Sequence, residues 1–253
     1  MGIDSLVARL IAEDIPYWRH RDTLLICADC LRVLPWIEAG SVDAVVTDPP
    51  YGIGFDKYES HEDDPTKYAA AMRVVVCEIG RIVGDGPAFV WQGMLNCDRW
   101  HEWFPRGFRL FAACKGFVQY RPTPVQFSWD PVVWWGTPKT EPSVYAKDWH
   151  AQLLAPCGAG REKIEHPCPR PIDQVVYVVC LATSSCRTIL DMYCGSGTTG
   201  VACVRTGRKF IGIEIEPKYY EIAKRRILEA YADFALFDGL EPPPQQTELE
   251  FTP

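Results

Sequence analysis

The 253-residue sequence lacks a long apolar run, an excess of positive charge and a ladder of paired cysteines. No apolar stretch is long enough to span a bilayer, and the first residues do not begin a signal peptide, which predicts a cytoplasmic protein that does not associate with membranes. The net charge of −7 argues against a protein that coats nucleic acid indiscriminately. A local basic face is still compatible with that charge, because the tail from Asp238 is acidic and contains no Lys or Arg.

The eleven cysteines follow no pattern of paired spacing, and several lie inside apolar segments. We expect them to be small buried hydrophobic residues in a reducing compartment. Cys27-x-x-Cys30 has the spacing of half a zinc site, but no second matching pair follows it. Cys157, His166 and Cys168 would complete such a site only if the fold brought them close, so we expect no bound metal.

The composition, 47% hydrophobic and 23% charged, is ordinary for a globular protein, and a chain of this length can form one large α/β domain. Short apolar runs predict seven strands, at residues 23–27, 42–47, 87–91, 108–113, 132–135, 188–191 and 209–214. Residue spacing predicts helices at 1–18, 68–82, 97–103, 172–181 and 217–229, with further helices before Gly40 and after Gly200.

A rigid corner follows the second of these strands. Asp48-Pro49-Pro50-Tyr51 ends the strand, because two prolines cannot donate hydrogen bonds to a sheet. A carboxylate and an aromatic ring therefore lie at the carboxyl end of a strand, where open α/β sheets bind their ligands. A proline-rich turn that an aspartate caps is the alternative interpretation of these four residues.

A βαβ unit with a glycine-rich first turn lies near the other end of the chain. The strand at 188–191 runs into Gly195-x-Gly197-x-x-Gly200, and the following strand ends at Glu214. Glycines let a ligand approach the backbone, and an acid at the end of the second strand can accept hydrogen bonds from ribose hydroxyls. This pattern predicts a nucleoside-containing cofactor.

The same glycine spacing matches the dinucleotide fingerprint, so an NAD-dependent oxidoreductase is an alternative. The position of the βαβ unit in the chain argues against an oxidoreductase. The usual dinucleotide fold begins with this unit, and the rest of its sheet follows later in the sequence. Here only one helix and an acidic, proline-rich tail follow Glu214. The rest of the sheet must come from the N-terminal half, which places the Asp48 corner and the cofactor unit on one sheet.

With Asp48-Pro49-Pro50-Tyr51 first and the glycine-rich unit last, the chain resembles a beta-class S-adenosylmethionine-dependent DNA amino-methyltransferase over roughly residues 23–230. The resemblance implies a circularly permuted Rossmann-like α/β fold, with a mostly parallel seven-stranded sheet between helices. It divides the chain into one catalytic domain at 1–237, which contains an inserted recognition region at 116–170, and a flexible acidic tail at 238–253. Met192-Tyr193-Cys194 departs from the Pro-Phe-x that is usual before the first glycine.

The resemblance also implies the reaction and its residues. The methyl group of S-adenosylmethionine would pass to an exocyclic amine of a base that is flipped out of the duplex or already unpaired. Asp48 and the carbonyl of Pro49 would accept hydrogen bonds from this amine. Pro50 would hold the corner rigid, and Tyr51 would stack on the base. An Asp at the first position favours the N6 amine of adenine over the N4 amine of cytosine. The residues expected to bind the cofactor are Asp29, His166, Arg170, Asp191, Cys194, Gly195, Ser196, Gly197, Thr198 and Glu214.

The partner is expected to be double-stranded DNA. Basic residues alternate with tryptophans in the inserted region, which suits phosphate pairing and base stacking, and the residues expected to bind DNA are Lys139, Lys147, Arg161 and Lys163. An irregular surface insertion is the alternative interpretation. Because only about fifty residues are free to recognise DNA, we expect a short target site or the help of a second subunit in a homodimer. Whether a restriction enzyme accompanies the protein does not follow from its sequence.

Overall fold

The computed structural model describes residues 3–52, 65–115, 128–138, 146–151, 170–185 and 187–237. These ranges contain one nine-stranded sheet in the order β1-β2-β9-β8-β3-β4-β6-β5-β7. The strands are β1 Tyr17–His20, β2 Thr23–Cys27, β3 Ala44–Thr47, β4 Ala88–Trp91, β5 Arg109–Cys114, β6 Trp129–Trp135, β7 Trp149–Ala151, β8 Thr188–Asp191 and β9 Lys209–Glu214. The predicted tail at 238–253 lies outside the described residues.

The helices lie on both faces of the sheet. They are α1 Ile3–Ala12, α2 Cys30–Val33, α3 Pro65–Val83, α4 Trp100–Trp103, α5 Ile172–Ala182, α6 Thr198–Arg205 and α7 Pro217–Phe237, with 3₁₀ turns at Leu34–Trp36 and Met94–Arg99. Strand side chains alternate between the two layers, so that Val45 packs with α1 to α4 and Val46 packs with α5 to α7. The four residues of β3 are completely buried, as expected for a central strand that helices cover on both sides.

The seven strands predicted from apolar runs form the middle of this sheet, from β2 to β5, and one short strand is added at each edge. From β2 to β4 all five strands are parallel, whereas β6 is antiparallel to both β4 and β5. The predicted mostly parallel, Rossmann-like α/β fold is therefore confirmed. The expected strand number of seven is corrected to nine within the described residues.

A local feature explains why the sequence did not predict each of the two added strands, β1 and β7. The expected helix at 1–18 ends at Ala12, because Tyr17–His20 instead forms an antiparallel hairpin with β2. The hairpin turns through Arg21, whose φ of +47° is unusual for a residue with a side chain. Strand β7 has only three residues and lies within the inserted region, and no apolar run marks it as a strand. The expected helix at 97–103 is a 3₁₀ turn followed by a single α-helical turn.

The last unit in the chain, β8–α6–β9, lies in the centre of the sheet. Strand β8 pairs in parallel with β3, with Ala44 opposite Ile189 and Val45 opposite Leu190. The carboxyl ends of these two strands are consequently neighbours, although they are far apart in sequence. This pairing confirms that the Asp48 corner and the glycine-rich unit share one sheet.

Candidate active site

A buried hydrogen bond joins the two strands that carry the site. The hydroxyl of Thr47, the last residue of β3, donates to Oδ1 of Asp191, the last residue of β8, over 2.7 Å. The same carboxylate oxygen accepts the backbone N–H of Tyr193 at 3.1 Å. Burial raises the pKa of Asp191 to about 6, even though hydrogen bonds from Thr199 and Thr47 favour the charged form. The carboxylate therefore serves as a fixed acceptor between the Asp48 corner and the glycine-rich turn.

The Asp48 carboxylate is held by two neighbouring side chains. The hydroxyl of Tyr51 donates to Oδ1 at 2.7 Å. The guanidinium of Arg170 donates through Nε to Oδ2 at 2.6 Å and through Nη2 to Oδ1 at 3.1 Å. Burial raises the pKa of Tyr51 well above that of a free phenol, so its hydroxyl keeps its proton. The arrangement fixes a carboxylate and an aromatic ring side by side at the end of β3.

Three residues that the sequence did not single out lie around Tyr51. Asn96 donates its amide N–H to the carbonyl of Tyr51 at 2.6 Å. Gly93, two residues after β4, leaves room for the ring, because a Cβ there would lie 3.1 Å from the Cβ of Tyr51. Gly52 has a φ of +64°, and a Cβ on it would lie 2.5 Å from the Cβ of Tyr68. The glycines within five residues of the two predicted strand ends are the sequence signal that could have pointed to this arrangement.

The glycine-rich turn between β8 and α6 depends on left-handed backbone. Gly195 has a φ of +52° and Gly197 a φ of +80°. A Cβ on Gly197 would lie 2.9 Å from the Cα and Cβ of Ala223 on α7, so the turn also packs closely against a helix. The backbone N–H of Cys194 donates to the carbonyl of Ile213 at 2.9 Å, which ties the turn to β9.

Glu214 connects the end of β9 to the same turn. Its Oε2 accepts the N–H of Gly195 at 2.6 Å and its Oε1 accepts the N–H of Glu216 at 2.9 Å. Burial is the main cause that raises the pKa of this carboxyl to about 7. The side chain therefore titrates close to neutral pH.

Two further residues lie near the turn and Glu214. Arg226 on α7 donates through Nη1 to the carbonyl of Ser196 at 2.5 Å, to its hydroxyl at 3.0 Å and to the hydroxyl of Thr198 at 3.2 Å. Arg226 has no signal in the sequence, because the sequence of α7 does not indicate which turn its arginines reach. Asp29 caps α2 by accepting the N–H of Leu31 at 2.9 Å. It lies beside Glu214, since Ala28 donates to the Glu214 carbonyl at 2.9 Å.

Of the basic residues predicted to bind the cofactor or DNA, Arg170 and Lys147 lie among the described residues. Arg170, which we expected beside the cofactor, contacts Asp48, Tyr51 and Asp130. The ammonium group of Lys147 lies 4.9 Å from the ring centre of Trp149. Lys147 precedes β7, which runs parallel to β5, so it lies away from the strand ends that carry Asp48. The remaining predicted residues, His166, Lys139, Arg161 and Lys163, lie outside the described residues.

Neither metal ligation nor membrane insertion has support in the described part of the chain. The residues of that part include no cluster of three or more His, Cys, Asp or Glu side chains that could hold a metal ion. Cys27 and Cys30 are free thiols. Within the same ranges, no helix has the length and apolar character needed to cross a membrane.

The sheet order, the glycine-rich turn and the Asp-Pro-Pro-Tyr corner together define a Rossmann-like fold of the kind found in DNA methyltransferases. Among solved structures, the M1.HpyAVI–SAM complex matches with a TM-score of 0.60 and 20% identity, over 81% of this chain and 99% of that chain. The PvuII DNA methyltransferase, a cytosine-N4-specific enzyme, matches with a TM-score of 0.63 and 18% identity, over 84% of this chain and 92% of that chain.

Sequence comparisons agree with the fold. The model of the N6/N4 DNA methylase family matches residues 123–225. A type II methyltransferase of Lactococcus lactis subsp. cremoris, M2.LlaDCHI, is 25% identical over 84% of this chain and 91% of its own length. These matches support an S-adenosylmethionine-dependent DNA methyltransferase of the N6/N4 class.

Proposed function

We propose that the protein methylates the N6 amine of adenine in double-stranded DNA, with S-adenosylmethionine as the methyl donor. The observation that carries the proposal is the placement of the Asp48 carboxylate at the end of β3, next to β8 and the glycine-rich turn. The 2.7 Å hydrogen bond from Thr47 to Asp191 joins these two halves of the site. An amine acceptor and a nucleoside-binding turn are thereby held at one edge of the sheet, as the reaction requires.

The target amine is a poor nucleophile, because its lone pair is delocalised into the base. Asp48 and the carbonyl of Pro49 accept hydrogen bonds from the amine and favour a pyramidal nitrogen, whose lone pair is free to attack. The proline pair holds both acceptors in place, and Tyr51 stacks on the base. Since the amine is inaccessible inside a duplex, the base leaves the helix before it reaches Asp48.

The donor side of the site fits a nucleoside. Each oxygen of Glu214 accepts one backbone N–H among the described residues, which leaves a lone pair on each oxygen for the two ribose hydroxyls. The left-handed glycines at 195 and 197 keep side chains out of the turn around the methionine part. Asp29 lies beside Glu214 and is within reach of the nucleoside. When bound, S-adenosylmethionine supplies an electrophilic methyl group.

The preference for adenine is supported by the aspartate at position 48, by resemblance to enzymes that carry Asp before Pro-Pro-Tyr. Methylation of the cytosine N4 amine uses the same type of acceptor and is the alternative outcome of the test. We assign DNA contact to the other basic residues predicted in the inserted region, Lys139, Arg161 and Lys163, and propose a short target site. A second subunit in a homodimer would add to the small surface that one chain offers.

Expression in a host that lacks DNA methyltransferases tests this function. DNA from that host is digested to nucleosides and separated by mass spectrometry, and the same DNA is sequenced for modified bases. We expect N6-methyldeoxyadenosine within one short motif. N4-methyldeoxycytidine as the sole product would replace adenine by cytosine. Calorimetric binding of NAD without binding of S-adenosylmethionine would overturn the proposal as a whole.

A further inference from the structure

Arg170 uses all three guanidinium nitrogens on acidic or phenolic neighbours. Nε and Nη2 donate to the two oxygens of Asp48, and Nη2 also donates to the hydroxyl of Tyr51. The third nitrogen, Nη1, donates to Oδ2 of Asp130 over 2.5 Å. One planar guanidinium thus contacts the proposed amine acceptor and the proposed stacking ring at the same time.

Asp130 is the second residue of β6 and lies within the inserted region. Its other oxygen, Oδ1, forms an ion pair with the ammonium group of Lys115, the residue after β5, at 2.8 Å. Burial alone would raise the pKa of Asp130, but the charges of Arg170 and Lys115 outweigh burial, and the pKa is lowered. Asp130 therefore remains ionised while three quarters of its side chain is buried.

We propose that Asp130 is a positioning residue that aims Arg170, and that Arg170 in turn orients both Asp48 and Tyr51 for the base. The proposal rests on the function proposed above. An arginine has several rotatable bonds, and a carboxylate on one side of its planar fork determines where the other two nitrogens point. The face of Trp91 supports the fork, with the guanidinium carbon 5.9 Å from the ring centre.

The hydrogen bonds from Arg170 and Tyr51 also determine which oxygen of Asp48 can accept a hydrogen bond from the amine. Among the described residues, Oδ1 accepts from both Tyr51 and Arg170, which occupies its two lone pairs. Oδ2 accepts only Nε of Arg170 within those same residues. The remaining lone pair of Oδ2 is therefore the position that the amine N–H would take. A shift of the guanidinium would move this position, and small displacements of a reacting group are costly in rate.

The test compares Asp130→Asn with the wild-type protein, with unmethylated duplex DNA from a methylation-deficient host as the substrate. We expect kcat to fall about tenfold, with the KM for DNA and the Kd for S-adenosylmethionine each within about twofold of wild type. Asp130→Glu, which keeps the charge and moves it by one methylene, should give an intermediate kcat. Arg170→Lys should lower kcat at least as far as Asp130→Asn, because lysine keeps the charge but loses the fork that contacts Asp48 and Tyr51.

Asp4→Asn is the matched control, since it removes an aspartate from an exposed 2.7 Å pair with Arg19 and should leave kcat unchanged. A wild-type protein that methylates no DNA would refute the proposed function. An active wild type whose kcat is retained in Asp130→Asn would refute the positioning role alone. If Asp130→Asn fails to fold, the other two variants still test the positioning role. An unchanged kcat in both Asp130→Glu and Arg170→Lys would refute that role, and a lowered kcat in both would support it.

Discussion

The hydroxyl of Thr47 donates a 2.7 Å hydrogen bond to the carboxylate of Asp191, across 144 positions of sequence. Both residues are nearly completely buried, and each ends a central parallel strand. The bond fixes the Asp48 corner relative to the glycine-rich turn, so it sets the separation between the proposed acceptor and donor halves of the site.

Replacement of Thr47 by Val should keep the shape of β3 and remove this bond. The buried carboxylate of Asp191 then loses one of its donors, and we expect the free energy of unfolding to fall by about 1–3 kcal/mol. Urea denaturation measures the change. Thr206→Val, which removes a hydroxyl bonded to a backbone carbonyl at the end of α6, is the control and should cost about 1 kcal/mol. Equal stability of Thr47→Val and the wild type would contradict a structural role for the bond.

Replacement of Glu214 by Gln should weaken the binding of S-adenosylmethionine and remove its dependence on pH. The pKa of Glu214 is raised to about 7, and only the ionised form presents two acceptor oxygens. In the wild type, lowering the pH from 8 to 6 should therefore raise the Kd about tenfold. Isothermal calorimetry at several pH values gives the comparison. Parallel pH profiles for the two proteins would exclude Glu214 from the ribose site.

The stability of the ligand-free protein should fall as the pH rises through 7. The carboxyl of Glu214 has a pKa of about 7 in the folded protein against 4.5 ordinarily, so the folded state binds the proton more tightly. The resulting stabilisation is fully present at pH values below the ordinary pKa of a glutamate carboxyl and is lost above about pH 7. It amounts to at most roughly 3 kcal/mol. Asp191, with a pKa of about 6, acts in the same direction.

Denaturant unfolding of the wild type and of Glu214→Gln at pH 5, 6, 7 and 8 isolates the contribution of Glu214. The difference between the two proteins should change across this window, because the glutamine does not titrate. A constant difference would show that Glu214 is already ionised at pH 5.

Replacement of Gly197 by Ala should disrupt the turn for two reasons. Its φ of +80° is unfavourable for alanine, and the added Cβ would lie 2.9 Å from the backbone of Ala223. We expect a loss of at least about 1 kcal/mol in stability and weaker cofactor binding. Gly84→Ala is the matched control, since it also has a positive φ but nothing within 4 Å of its Cβ. If the two variants lose the same stability and bind the cofactor equally, close packing at Gly197 has no effect.

Local sequence was sufficient for the strands that build the site. The bounds of β2, β8 and β9 agree with prediction, because each is a short apolar run that ends at a polar or glycine-rich turn. Glu214 lies at the end of β9 next to the glycine-rich turn, as the βαβ pattern indicates. These relations depend on neighbours in sequence or on a known connection between elements.

Contacts between distant segments could not be predicted in the same way. Arg170 lies against Asp48, 122 positions away, and Arg226 reaches Ser196 from α7. Arg226 does not differ from a surface arginine in its local sequence, and the resemblance that singled out Arg170 pointed to the cofactor and not to Asp48. Nothing in the sequence indicated a role for Asp130 either. A single aspartate in an apolar strand indicates a role only when its contacts with other residues are known.

Activation of the amine by Asp48 is tested most directly by single-turnover methyl transfer with Asp48→Asn. The substitution keeps the shape of the side chain and leaves Glu214 and the glycine-rich turn unchanged, so cofactor affinity should stay within about twofold of wild type. We expect the rate of methyl transfer to adenine to fall at least about a hundredfold. Transfer at close to the wild-type rate, with the cofactor fully bound, would contradict the role of Asp48.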